Sequence, residues 1–209
     1  MKHSLFAITI AIVIGLAAGA DPATAAQSAA ARDDCGCTDD PPFVRDPIDR
    51  APTASQRDTL VARLSGASCV AAAGSARRLA VLRDPTTVAP LVRALKHSSC
   101  RVRVAAADAL GNFRDSTIVP ALTAALTDGD RRVRADAAWS LSHVGDSRAV
   151  TRLLVAAADS SGHVRQAAVS ALGSIGDPRA APALTKALRD PEKHVRQAAA
   201  EALGKLRRS

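Results

Sequence analysis

A fixed interval of 31 residues runs through most of this chain. Val102-Arg103, Val133-Arg134, Val164-Arg165 and Val195-Arg196 each follow the previous pair by 31 positions, as do Leu110, Leu141, Leu172 and Leu203. Asp84, Asp115, Asp146 and Asp177 keep the same step. A period of this length means stacked units that share a continuous core, each too small to bury its apolar face alone. Counting back from the clearest copies gives five units, near residues 53–83, 84–114, 115–145, 146–176 and 177–207. The first is degenerate, with Ala71-Ala72 where later units carry Val-Arg.

Each unit reads as two helices. In the second unit, Leu91, Val92 and Leu95 form one helical stripe, and Val102, Ala106, Ala109, Leu110 and Phe113 form another at three- and four-residue steps. Asp84-Pro85, Asp177-Pro178 and Asp190-Pro191 read as helix starts, with Asp as the cap and Pro in the first turn. Gly111, Gly145, Gly173, Gly176 and Gly204 fall at or near the ends of second helices. No period-two alternation appears in the repeats, so no sheet is expected.

What precedes the repeats is different. Leu5 to Ala20 is a run of 16 residues with Thr9 the one polar member, short of the roughly 20 needed to span a bilayer as a helix. A basic start and Ala-x-Ala sites ending at Ala20 and Ala25 complete the layout of a secretory signal peptide over residues 1–25, the alternative being an uncleaved anchor. The expected location is periplasmic or secreted. Residues 26–52, broken by Asp40-Pro41-Pro42 and Asp46-Pro47, read as an extended arm. The arm holds Cys35 and Cys37; Cys69 and Cys100, themselves 31 residues apart, complete the cysteines. Four cysteines in an exported chain point to two disulfides. The reading preferred here ties Cys35 and Cys37 to Cys69 and Cys100, clamping the arm on the degenerate first unit. Zinc is the sharper alternative, although Cys-x-Cys is not the usual Cys-x-x-Cys spacing and the other two cysteines stand far apart, and a redox-active pair at Cys35 and Cys37 is a further one.

The formal charge of +8 survives signal removal, since residues 1–25 contain one Lys and one Asp. A basic surface seeks acidic partners. Export argues against intracellular nucleic acid, and aromatics at 2% leave no platform for stacked bases.

At the motif His163-Val-Arg-Gln-Ala-Ala-Val-Ser-Ala-Leu-Gly-Ser-Ile-Gly-Asp177 the chain resembles HEAT-like repeats of the short class named after phycobilisome lyases. The resemblance covers residues 84–207 well and 53–83 poorly. It implies an all-α, right-handed α-solenoid of about five two-helix HEAT-like repeats. It also implies that Asp128 with Arg134, Asp159 with Arg165, and Asp190 with Arg196 belong to a structural ladder between stacked units. His97 stands where the second unit lacks that Asp, which would leave Arg103 freer than its counterparts.

In the resembled family the variable stripe of the second helices lines the concave face. Here it contains Arg101, Asp108 and Asn112, then Arg132, Trp139 and His143. It continues with His163, Gln166, Ser170 and Ser174, and ends with His194, Gln197, Glu201 and Lys205. Trp139 is the large aromatic on that stripe and the expected anchor for a partner; the competing reading packs it between repeats. His163 and His194 are in register but a repeat apart, so they are expected as solvated surface residues without a metal. No Ser/His/Asp context, His-Glu-x-x-His, phosphate loop or Tyr supplies a catalytic constellation, so no enzyme and no cofactor is expected. The expected function is a scaffold that binds a protein or peptide on the concave face. A lyase- or chaperone-like factor for a pigment-bearing protein, and a polyanion-binding envelope protein, stand as alternatives.

Overall fold

In the computed structural model, which describes residues 53–66 and 68–208, the recurring aspartates open the units. Asp84, Asp115, Asp146 and Asp177 each accept a hydrogen bond from the backbone N–H two residues on, at 2.8–2.9 Å. Each caps a three-residue 3-10 turn that runs into the first helix of its unit.

The ten α-helices among the described residues pair off as expected, and no strand occurs among those residues. The first helices are α1 (Ala54–Arg63), α3 (Val88–Ala94), α5 (Val119–Ala125), α7 (Val150–Ala156) and α9 (Ala181–Ala187). The second helices are α2 (Cys69–Leu82), α4 (Cys100–Leu110), α6 (Arg131–Val144), α8 (Gly162–Ile175) and α10 (Lys193–Leu206). Each first helix packs on the second helix of its own unit, and the second helices stack α2 on α4, α4 on α6, α6 on α8 and α8 on α10. The arrangement is an α-solenoid.

The residues that recur are the ones that stacking requires. Val102, Val133, Val164 and Val195 are fully buried, as are Leu91, Leu122, Leu153 and Leu184 from the first helices. Alanines at 106, 137, 168 and 199 are buried too, and their small size lets neighbouring second helices approach. Two positions demand closer approach still. A Cβ on Gly173 of α8 would stand 2.4 Å from the Cβ of Ala202 on α10. A Cβ on Gly111 would stand 2.5 Å from the Ser140 hydroxyl, which is buried and donates 2.7 Å to the Ala107 carbonyl. That bond satisfies a polar group inside the stack.

One helix start differs from the sequence reading. Asp190 does not cap α10, whose N-cap is Glu192 without a side-chain bond. Asp190 instead accepts from the Glu192 amide and from Arg165 of the preceding unit. The signal region and the arm lie outside the described residues. Among those described, no cysteine is free, and Cys69 is buried. No helix among them is long and apolar enough to cross a membrane.

Candidate binding face

The ladder runs forward, from each unit to the next. Arg103 donates Nε and Nη2 to the Asp128 carboxylate at 2.8 and 2.9 Å. Arg134 does the same to Asp159, and Arg165 to Asp190, at the same distances. The remaining Nη1 of each turns back to the carbonyls five and six residues before it. The residue six before each Arg therefore supplies a backbone carbonyl, and where that residue is an aspartate its carboxylate serves the Arg of the unit before. This corrects the expectation for Arg103: His97 lends it a carbonyl, and Asp128 pairs with it fully. The arginine without a carboxylate partner among the described residues is Arg196, where the array runs out of a next unit. Burial pushes Asp128 and Asp159 up, but the bonds from Arg103, Arg134 and backbone amides outweigh it and hold both below the usual carboxylate range. The ladder side chains are thus tied up in stacking.

The variable stripe is a different population. Asp108, Asn112, Trp139 and His143 come together around an open pocket of about 390 Å³, with Arg83 and Arg114 at its rim. Trp139 is 51% exposed, and its ring meets His143 edge-on, with centroids 5.4 Å apart and planes at 87°. The contact fixes the indole on α6 while leaving much of its surface open to solvent. Asn112 turns back on its own helix, donating to the Asp108 carbonyl at 3.3 Å.

Further along, His163 and His194 stack on each other, with centroids 5.4 Å apart and planes at 19°. His194 Nδ1 lies 3.6 Å from Glu192, and its Nε2 is buried with no hydrogen-bond partner among the described residues. His163 is exposed, as expected from sequence, while His194 is half-buried, and the two rings pair by stacking. Among the described residues no group of three or more His, Cys, Asp or Glu could hold a metal ion. Gln166 and Ser170 are half-buried, while Ser174, Gln197, Glu201 and Lys205 are exposed. Gln197 reaches Glu201 at 3.5 Å. Arg101 is half-buried, and Arg132 is bound to Asp130 at 3.3 Å.

Sequence reading missed Asp136. The equivalent positions hold Gly74, Ala105, Ala167 and Ala198, so a carboxylate replaces a packing residue in the third unit alone. Loss of hydration, with Asp108 nearby, pushes the Asp136 carboxyl up to about 7. Asp108 is raised as well, chiefly by the same loss of hydration, against the pull of Arg77 and His143. The break in the repeat at 136 was the available signal.

HEAT repeats match residues 57–142, 88–163 and 151–209. No curated protein matches this chain. Among solved structures, one similar to it is the complex of CpcE and CpcF of phycocyanin lyase from Nostoc sp., with 26% identity and a TM-score of 0.68 over 81% of this chain and 71% of that one. An engineered protein gives 21% identity and 0.59, covering 91% of this chain and 93% of its own. A designed armadillo repeat protein in complex with the peptide (KR)4 gives 20% and 0.60, covering 73% and 82%. The last two likenesses bear on fold alone.

Proposed function

Because this chain belongs to the HEAT-repeat family, whose fold supplies a surface and no fixed chemistry, we propose that it is an exported scaffold. On this reading it binds a protein or peptide on the concave face formed by its second helices. One observation carries the reading. Trp139 is a large aromatic that stacking does not need, held half-exposed beside polar residues in a pocket. Rigid aromatics of this kind are favoured binding anchors, because little side-chain entropy is lost on contact. Export is supported by the apolar run from Leu5 to Ala20 and the Ala-x-Ala sites after it. The domain plan is a signal peptide at 1–25, an arm at 26–52 joined to the array by disulfides, and repeats at 53–209.

Photo-crosslinking in the intact cell envelope tests this directly. A crosslinker at Ser174, on the proposed face, should yield a discrete adduct; one at Lys186, on the outer helix α9, should not. Equal labelling from both positions would contradict the reading. Polyanion binding would instead lose affinity steeply with salt, as charge-neutralising contacts do.

A second reading is favoured by the likeness to a phycocyanin lyase subunit, solved as a two-protein complex. Under it the partner is a pigment-bearing protein or a sister repeat subunit, and this chain positions it without supplying catalytic groups.

A further inference from the structure

We propose that the outward face of the fifth unit, on α9 and α10, is a second interaction surface. It takes a carboxylate-bearing helical repeat of another protein, stacked end-on so that the ladder continues into the partner. The inference rests on the way the units stack and needs nothing of the concave-face reading.

Three residues of this unit are shaped for a neighbour that no described residue supplies. Arg196 donates Nη1 back to the Asp190 and Pro191 carbonyls at 2.7 and 2.8 Å. Arg103, Arg134 and Arg165 make the same turn in their own loops. Those three spend Nε and Nη2 on a carboxylate of the following unit. In Arg196 the same two donors have no carboxylate partner among the described residues. The loop thus holds a guanidinium fork in place, and a fork of parallel N–H donors matches a carboxylate.

Gly204 repeats the place of Gly111 and Gly173, where the missing Cβ admits Ser140 and Ala202 of the next unit. A Cβ on Gly204 would meet only the Arg208 guanidinium, 4.0 Å away. Leu188 is 39% exposed, whereas its counterparts Leu64, Leu95 and Leu126 are 5%, 9% and 5% exposed. A unit that merely closes a repeat array presents a polar outer face. The fifth unit instead keeps the arginine fork, the glycine notch and the leucine of an internal unit.

The same three residues decide what can sit there. A second copy arriving head to tail would offer its first unit. That unit has Gly66 where the ladder needs an aspartate, and the exposed Arg78 where Ser140 and Ala202 fill a notch. Two fifth units meeting face to face would set one Arg196 fork against another. Another protein's repeat fits, provided it carries a carboxylate in the loop before its second helix and a small residue on that helix.

The test uses the full-length protein and, as probe, a fluorescent peptide of residues 177–207. The peptide brings Asp190 and Ala202 as the fifth unit brings them to the fourth. In the intact chain those groups are already engaged, so the peptide stands in for a partner's repeat and not for a second copy. Anisotropy should show binding, with a gain of helix in the peptide by circular dichroism. Arg196→Ala and Gly204→Leu should each weaken it about tenfold or more, and Trp139→Ala should leave it unchanged. Asp190→Asn in the peptide should cost as much against the wild type and nothing further against Arg196→Ala, which reads the rung without altering the protein's fold. No binding, or equal binding by every variant, overturns the proposal. Loss with Trp139→Ala moves the peptide to the concave face and overturns it too. Self-association of the wild type that Arg196→Ala abolishes would give the face to a second copy instead. None of these results touches the Ser174 crosslink, which tests the concave face separately.

Discussion

Arg134 and Asp159, 25 residues apart in the chain, meet through two parallel N–H···O bonds of 2.8 and 2.9 Å. Their side chains are only 15% and 13% exposed, so the pair is largely withdrawn from water. Because Arg134 also holds two carbonyls of its own loop, its loss leaves the part-buried Asp159 carboxylate held only by Ser160 and Ser161 and removes the donor from both carbonyls. Arg134→Ala is expected to destabilise by about 2–4 kcal/mol. Arg196→Ala, at the end of the ladder, should cost less than about 1 kcal/mol. Urea unfolding of the two variants checks the order; equal costs would remove the forward ladder as a source of stability.

Protonation acts on this stack in two opposed ways. Asp159, Asp128 and Asp190 have folded values below the usual range, so their contribution is present above about pH 4 and fades as the pH falls through their folded values. Asp136 is the reverse. Its folded value near 7 exceeds the unfolded one of 3.8, so the folded chain holds an extra proton between them, and stability drops as pH rises through that window. Asp136→Ala, which restores the residue of the neighbouring units, is expected to stabilise by about 2 kcal/mol at pH 8 and by far less at pH 5. Thermal melts at the two pH values decide; a gain independent of pH would point to packing rather than charge.

How far the sequence went is visible in these residues. The 31-residue step placed Val102 and its copies in the core and named the ladder residues, because neighbour contacts force those side chains to recur. It did not say which unit each carboxylate serves. That depends on the offset between stacked helices, which spacing along one chain does not record, and so Arg103 is paired with Asp128 where the sequence predicts a freer side chain. Asp136 and Arg83 escaped for a related reason: each occupies a position where the rule was set by the other copies.

Arg83 takes the left-handed conformation, φ 49°, at a helix end where Gly145 and Gly176 serve later units. A side chain there costs roughly 1–2 kcal/mol relative to glycine's freedom. Arg83→Gly should raise stability by about 1 kcal/mol, and Gly145→Ala should lower it by a similar amount. Matched denaturant titrations measure both; destabilisation by Arg83→Gly would show that the Arg83 side chain makes a contact worth more than the strain.

Gly173 has no room for a side chain against Ala202. Gly173→Val is expected to force α8 and α10 apart and cost about 1–3 kcal/mol, as overpacking does. Since each unit touches only its neighbours, hydrogen exchange should quicken in α10 and leave α2 and α4 unchanged. Uniform acceleration would mean the array unfolds as one block.

The proposed binding face centres on Trp139, which is half-exposed, edge-on to His143, and unnecessary to stacking. The decisive measurement is paired: thermal unfolding and Ser174 photo-crosslinking, on wild type and Trp139→Ala. The expected result is a melting temperature shifted by only a few degrees, with the Ser174 adduct reduced by an amount corresponding to about 2 kcal/mol or more of lost binding. A collapsed melting temperature, in line with the roughly 3–5 kcal/mol that a buried tryptophan costs, together with an unchanged adduct from a folded Trp139→Phe control, would contradict it.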